Sequence, residues 1–281
     1  LRTPYSPGPE RLPAQGKSKK WLAGVIALTL LFLGYLLWGP GFPWLPATPG
    51  YATLRFSRVR VITRDPARLS PAYQHLDDIT ARLESTHGLR FRKRVNLMVL
   101  NNLFELYRFS PWMARAPGAF AYASGDVVLI TSKKRLRNSL EEYLAHELSH
   151  SLVYQNTARF QGLTLHRQRW VIEGVATCFG GPYYYTENEF RRRLRDVRLT
   201  PAASGRDLYG DFPRRDPGFR YTLYRFFIQY LIDRYGQEAF RSFLGLYLAH
   251  PRNYPQIFIR VFHQDLPTAL RDFEAAYRRP E

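Results

Sequence analysis

The chain has 281 residues, 45% of them hydrophobic, and a formal charge of +18 at pH 7. That length suits one domain of moderate size plus an appendage. The single cysteine, Cys178, excludes an intrachain disulfide. The basic excess lies mostly outside the N-terminal tail, so it belongs to the surface of the domain itself.

Residues 1–20 form a basic tail, with Lys17, Lys19 and Lys20 ahead of an apolar run and Arg2 and Arg11 further back. Trp21 to Trp38 contains no charged residue and approaches the ~20 residues that cross a bilayer. Tryptophans at both ends fit the aromatic interface belt, and the lysines place the N-terminus in the cytoplasm. The expectation is a single-pass anchor in the cell membrane with an extracytoplasmic domain. A cleaved signal peptide is the rival reading. The run exceeds the usual ~7–15 residues of such a segment, and Gly39 to Pro46 offers no small-x-small cleavage site, so an uncleaved anchor is favoured. The flanking lysines and the proline-rich exit also argue against a buried core helix. Residues 39–50, with Pro40, Pro43, Pro46 and Pro49, read as a stiff spacer.

The domain is expected over residues 51–281. Leu54 to Thr63 suggests a strand, Pro71 to Thr86 a helix, and Val95 to Leu100 a short apolar strand. Gly125 to Thr131 is another strand. Asn138-Ser139-Leu140-Glu141-Glu142 then opens a helix with capping and acidic residues, and Leu140, Leu144, Leu148 and Leu152 recur every four positions. Inside this helix lies His146-Glu147-Leu148-Ser149-His150. Histidines at i and i+4 share one helix face, so both imidazoles reach one tetrahedral ion at about 2.0–2.1 Å. Glu147 is rotated about 100° from His146; it can reach a water on the metal and take its proton. The bland alternative is an amphipathic helix whose histidines are surface or core residues.

Trp170 to Ala176 reads as a second apolar helix, with Glu173 placed 23 residues after His150. A lone carboxylate among Trp, Val, Ile and Ala is costly to bury unpaired, and a metal ion supplies a partner. Two His and one Glu leave a fourth position open, as in catalytic sites. Gly174 is expected to let the two helices approach closely. Cys178 reads as a buried, apolar-like residue. Segment 196–219 is a loop rich in Pro, Gly, Asp and Arg, and Arg241 to Leu248 and Leu266 to Tyr277 are further helices. The fold class is α+β, a small sheet followed by a helical half.

The pair HELSH and WVIEGVA resembles the gluzincin branch of zinc metallopeptidases, the peptidase MA-like domain, over roughly residues 118–245. The resemblance implies a zincin-like fold with a small mixed sheet, Zn2+ as cofactor, His146, His150 and Glu173 as its ligands, and Glu147 as general base. It also implies Tyr221 as transition-state hydrogen-bond donor, from Tyr221-Thr222-Leu223-Tyr224 ahead of Asp233-Arg234-Tyr235-Gly236, with Tyr224 the competing choice. In such folds a strand near residues 125–131 forms the upper edge of the cleft and can pair with an extended substrate, and Ala116 to Ser124 lines that cleft. One departure is Thr177, where some members carry an aspartate that orients a ligand histidine.

The function expected from these readings is a membrane-anchored zinc peptidase acting on a peptide or protein substrate. It would use a zinc-activated water, with Glu147 as base. The alternatives are a non-catalytic zinc-binding scaffold, against which the intact Glu147 counts, and a basic module. For the latter, Arg90, Arg92, Lys93 and Arg94 form one cluster and Arg191, Arg192, Arg193 and Arg195 a second. Their partner would be anionic lipid or a cell-wall polymer. An extracytoplasmic position makes nucleic acid an improbable partner.

Overall fold

A computed structural model describes residues 16–37, 48, 50–109, 119–131, 139–158, 168–181, 183–197, 199–202, 207–210 and 216–278. Most of the basic tail, Trp38 and most of the proline-rich spacer lie outside the described residues. The apolar run forms helix α1, Gly16–Leu37, with its side chains from Trp21 to Leu33 exposed. Among the described residues no helix is long and apolar enough to cross a membrane.

The domain begins with the sheet. Its strands are β1 (Ala52–Arg55), β2 (Val59–Thr63), β3 (Val95–Leu100), β4 (Ala119–Ala121) and β5 (Val127–Thr131), ordered β1-β2-β3-β5-β4. β1 and β4 are antiparallel to their neighbours, whereas β2, β3 and β5 run parallel. The mixed α+β expectation therefore holds. Leu54 to Thr63 is not one strand, however: it turns at Phe56, whose N–H bonds the Val59 carbonyl at 2.8 Å, and gives the β1–β2 hairpin. Ser57 makes the turn possible by donating its N–H and hydroxyl to Asp77.

Val95–Leu100 is apolar at five of its six positions and buried throughout because both faces of the central sheet are covered, the usual state of parallel strands. Val59, Val61, Leu97 and Val128 pack on one side with α2 (Leu76–His87) and α4 (Leu140–Gln155). Ile62, Met98, Val127 and Leu129 pack on the other with Leu106 and Phe109 of α3 (Leu103–Phe109). The four-residue leucine repeat of α4 does the expected work: Leu144, Leu148 and Leu152 are fully buried, each stabilising by about 1.5–3 kcal/mol. Ser139 caps this helix by accepting the Glu142 N–H at 3.2 Å.

The helical half contains α5 (Arg169–Gly180), α6 (Glu187–Asp196), α7 (Pro217–Tyr235), α8 (Gln237–Ala249), α9 (Tyr254–Phe262) and α10 (Leu266–Arg278). Trp170 sits at its centre, fully buried, with Phe227, Phe243, Tyr254 and Phe258 within 5.3–6.3 Å between ring centroids. This aromatic core holds α5 between α4 and α7, and so fixes where Glu173 projects.

Candidate metal centre

His146, Glu147 and His150 lie in the middle of α4 and are buried, each 7–8% exposed. Glu173 lies in the second turn of α5. His146 Nε2 and His150 Nε2 are 3.1 Å apart, and Glu173 Oε2 lies 3.5 Å and 3.4 Å from them. Three ligand-type atoms thus form a near-equilateral triangle. A tetrahedral ion bonded at about 2.0–2.1 Å requires ligand separations of about 3.3 Å. The donor set therefore fits zinc in size as well as in chemistry, and among the described residues it is the one such group.

Glycines set the helix separation, but not the glycine expected. A Cβ on Gly174 would meet Ile228 and Tyr224 of α7 at 3.0–3.2 Å, so Gly174 seats α5 on α7. The approach to α4 is made by Gly180, where a Cβ would lie 2.6 Å from the His146 backbone nitrogen. Any side chain at Gly180 would push the Glu173 helix off the histidine helix. Gly181 follows at φ +88°, and its carbonyl accepts the His146 Nδ1–H at 2.5 Å. That bond protonates Nδ1 and turns the Nε2 lone pair inward. Orientation of this ligand thus comes from a backbone carbonyl. Thr177 does not supply it: its buried hydroxyl, like His150 Nδ1, makes no hydrogen bond among the described residues.

The electrostatics follow from burial and proximity. Burial would raise the Glu173 carboxyl, but His150 and His146 together hold it well below the usual carboxylate range. Burial would lower His146, yet the Glu173 carboxylate, Glu147 and the Gly181 carbonyl raise it. The centre thus draws in positive charge. Glu147, outside the triangle, is pushed up by burial against the pull of the two imidazoles, with the Ala121 backbone N–H also favouring its charged form. Ala121 ends β4, and β4 rather than β5 is the edge strand. The expected cleft edge at residues 125–131 is therefore one strand further in, and the part of the 116–124 stretch preceding Ala119 lies outside the described residues.

The structure separates the two candidate tyrosines. Tyr221 stands against the centre, its ring 6.5 Å from that of His146. Tyr224 is fully buried and donates its hydroxyl to Asp207. Sequence reasoning missed Arg169, whose positive charge lies near Tyr221 and opposes the rise that burial gives its hydroxyl. It also missed Tyr184, 5.8 Å from Tyr221, and Tyr154, stacked 6.1 Å from His150. The run Tyr183-Tyr184-Tyr185 after two glycines was an available signal; Arg169, four residues before Glu173, was another.

Two supporting groups are structural. His87 of α2 is buried against α4, bonded through Nε2 to Ser149 at 2.7 Å, and burial lowers its pKa to about 3, so it packs as a neutral ring. Cys178 is half-buried, with its thiol pushed up to about 12 by burial; this matches an inert, apolar-like role.

No protein-family model and no curated protein matches this chain. Solved structures do match it in fold. A mutant of a two-domain M1 zinc metallopeptidase bound to L-tryptophan superposes with a TM-score of 0.51 at 13% identity, over 82% of this chain and 52% of that one. The same kind of enzyme bound to L-arginine gives 0.50 at 12% identity with the same coverage. The chain spans about half the length of these structures, and the likeness is one of fold.

Proposed function

We propose that this chain is a zinc-dependent peptidase of gluzincin type, with zinc held by His146, His150 and Glu173. The observation that carries the proposal is the 3.1–3.5 Å triangle of two imidazole nitrogens and one carboxylate oxygen, with a second carboxyl group, Glu147, buried beside it. Zinc bound there would polarise a scissile carbonyl and bring the pKa of a water towards about 7. The chain's own residues divide the remaining work. Gly181 holds His146 in the tautomer that presents Nε2. Glu147 takes a proton from the attacking water at its carboxylate and passes it to the leaving amine. Tyr221 stays protonated because burial raises its pKa, so its hydroxyl donates to the developing oxyanion. The open edge of β4 offers backbone groups to an extended peptide. An intact Glu147 has no use in a purely structural site, which disfavours a scaffold role.

Metal analysis tests the ligand set. The purified protein should carry about one zinc per chain, and His146→Ala, His150→Ala and Glu173→Ala should each lose it while keeping their helical content. Full zinc retention in the Glu173 variant would remove that residue from the centre.

The proposal extends to topology. A membrane anchor with the N-terminus in the cytoplasm and the domain outside rests on the sequence alone, on the lysines before the uncharged run from Trp21 to Trp38. A reporter fused after Glu281 should be active only outside the cytoplasm, with the protein in the membrane fraction. A soluble product starting near residue 48 would instead mark the run as a cleaved signal.

A further inference from the structure

The fold treats the two arginine-rich stretches of the sequence in opposite ways. On α6, Arg191 bonds Glu187 at 2.7 Å and lies over the Tyr277 ring, and Arg193 bonds Asp216 at 2.9 Å and lies over Tyr185. Arg191 and Arg193 are thus each paired with a carboxylate within the helical half. The stretch from Arg90 to Arg94 is instead enlarged by residues distant in sequence. The Val95 N–H donates to the Arg58 carbonyl at 2.8 Å, Arg94 Nε reaches the Ser57 carbonyl at 3.4 Å, and the strand register sets Arg60 between Arg55 and Asn96. Arg55, Arg58, Arg60, Arg90, Arg92, Lys93 and Arg94 therefore gather at one end of the sheet.

Few carboxylates answer them. Glu84 takes Arg58 at 3.3 Å and Arg90 at 3.0 Å, together with the Phe91 N–H at 2.8 Å. Asp77 is engaged by Ser57. Among the described residues Arg92 and Arg94 reach only neutral oxygens, of Asn156 and Ser57. Arg55 and Arg60 face each other directly across β1 and β2, a like-charge pair that destabilises a sheet. Folding alone gains nothing from that pairing.

This end of the sheet is joined to the metal centre through a single helix. The Lys93 N–H donates to Gln155 Oε1 at 2.8 Å, Asn156 Nδ2 donates to the Arg90 carbonyl at 2.9 Å, and Gln155 Nε2 reaches the Gly125 carbonyl in the β4–β5 turn at 2.7 Å. Gln155 ends α4, and Asn156 stands about 9 Å along the axis from His150. A peptide laid on the edge of β4 leads to the same turn.

We propose that this basic surface is an exosite for an Asp/Glu-rich segment of the polypeptide substrate, gripped while the bond to be cut lies at the metal centre. The proposal rests on the peptidase reading and deepens it by naming the substrate class. Guanidinium groups pair strongly with carboxylates, and Glu84 already lies between Arg58 and Arg90 inside the patch itself. The segment's charge also steers encounter, with a strong salt dependence.

Binding to the full-length, zinc-loaded Glu147→Gln protein tests this without requiring turnover. The probes are a blocked peptide with a five-glutamate tract and its glutamine counterpart. The glutamate peptide should bind about tenfold tighter or more at low salt, and the gap should shrink as salt rises. Arg92→Gln/Lys93→Gln/Arg94→Gln should abolish the preference, whereas Arg252→Gln/Arg260→Gln/Arg271→Gln, equal in charge, should preserve it. With the wild-type enzyme, the tract joined to a cleaved sequence should lower KM and leave kcat alone. Equal binding of the two peptides overturns the proposal, as does equal loss in both triple variants. So does patch-dependent binding of polyphosphate or phosphatidylglycerol vesicles that exceeds binding of the glutamate peptide. If the parent cuts no peptide yet retains the preference, the peptidase reading falls and the acidic-segment site stands.

Discussion

Glu147→Gln is expected to lower turnover by two orders of magnitude or more while leaving one zinc per chain in place. The side chain is buried in the middle of α4. A glutamine has the same shape and stays polar, so helix α4 and the triangle beside it have no reason to shift. The amide cannot accept the proton of a water, and removal of a general base costs about 10²–10⁴ in rate. Zinc content, thermal melting and kcat on a cleaved library peptide, measured on one preparation, separate loss of chemistry from loss of fold. Activity within threefold of the parent would falsify the assignment of Glu147 as base. If the parent carries zinc but cuts nothing, the scaffold reading takes its place.

Tyr221→Phe should lower kcat by roughly 10²–10³, the usual cost of removing one donor to an oxyanion, again with zinc retained. The same change at Tyr224 should act on a different quantity. Its hydroxyl donates to Asp207 from a fully buried ring, so Tyr224→Phe should cost about 1–3 kcal/mol of stability with little effect on kcat. Kinetics and denaturant titrations of the two variants form a crossed test, and the reverse pattern would exchange their roles. Arg169 bears on this result, because its charge acts on the Tyr221 hydroxyl and it stands one turn of α5 before Glu173.

Much of the site was legible because its chemistry is local. The spacing of His146 and His150, the base between them, the Ser139 cap and the buried leucine face all follow from the 3.6-residue period of one helix, which a sequence carries in full. Glu173 was legible for a different reason: a carboxylate inside an apolar run needs a partner. The buried strand at Val95–Leu100 announced itself by an apolar content that only two covered faces explain.

What the sequence by itself determined, then, is the set of ligand-type residues, the glutamate beside them on α4 and the α+β order of elements, since each depends on neighbours within a helix turn or a strand. Tertiary structure alone decided the rest. It chose Gly180 over Gly174 for the close approach to α4, because that depends on where two helices cross. It placed Tyr221 at the centre and Tyr224 against Asp207, although three positions on one helix differ only by their angle about its axis. It supplied the Gly181 carbonyl that orients His146, a backbone group with no mark in the sequence. It also paired Arg191 and Arg193 of one arginine cluster with carboxylates and enlarged the other cluster, because ion pairing and strand register join residues through space, and the order of residues along the chain does not encode those distances.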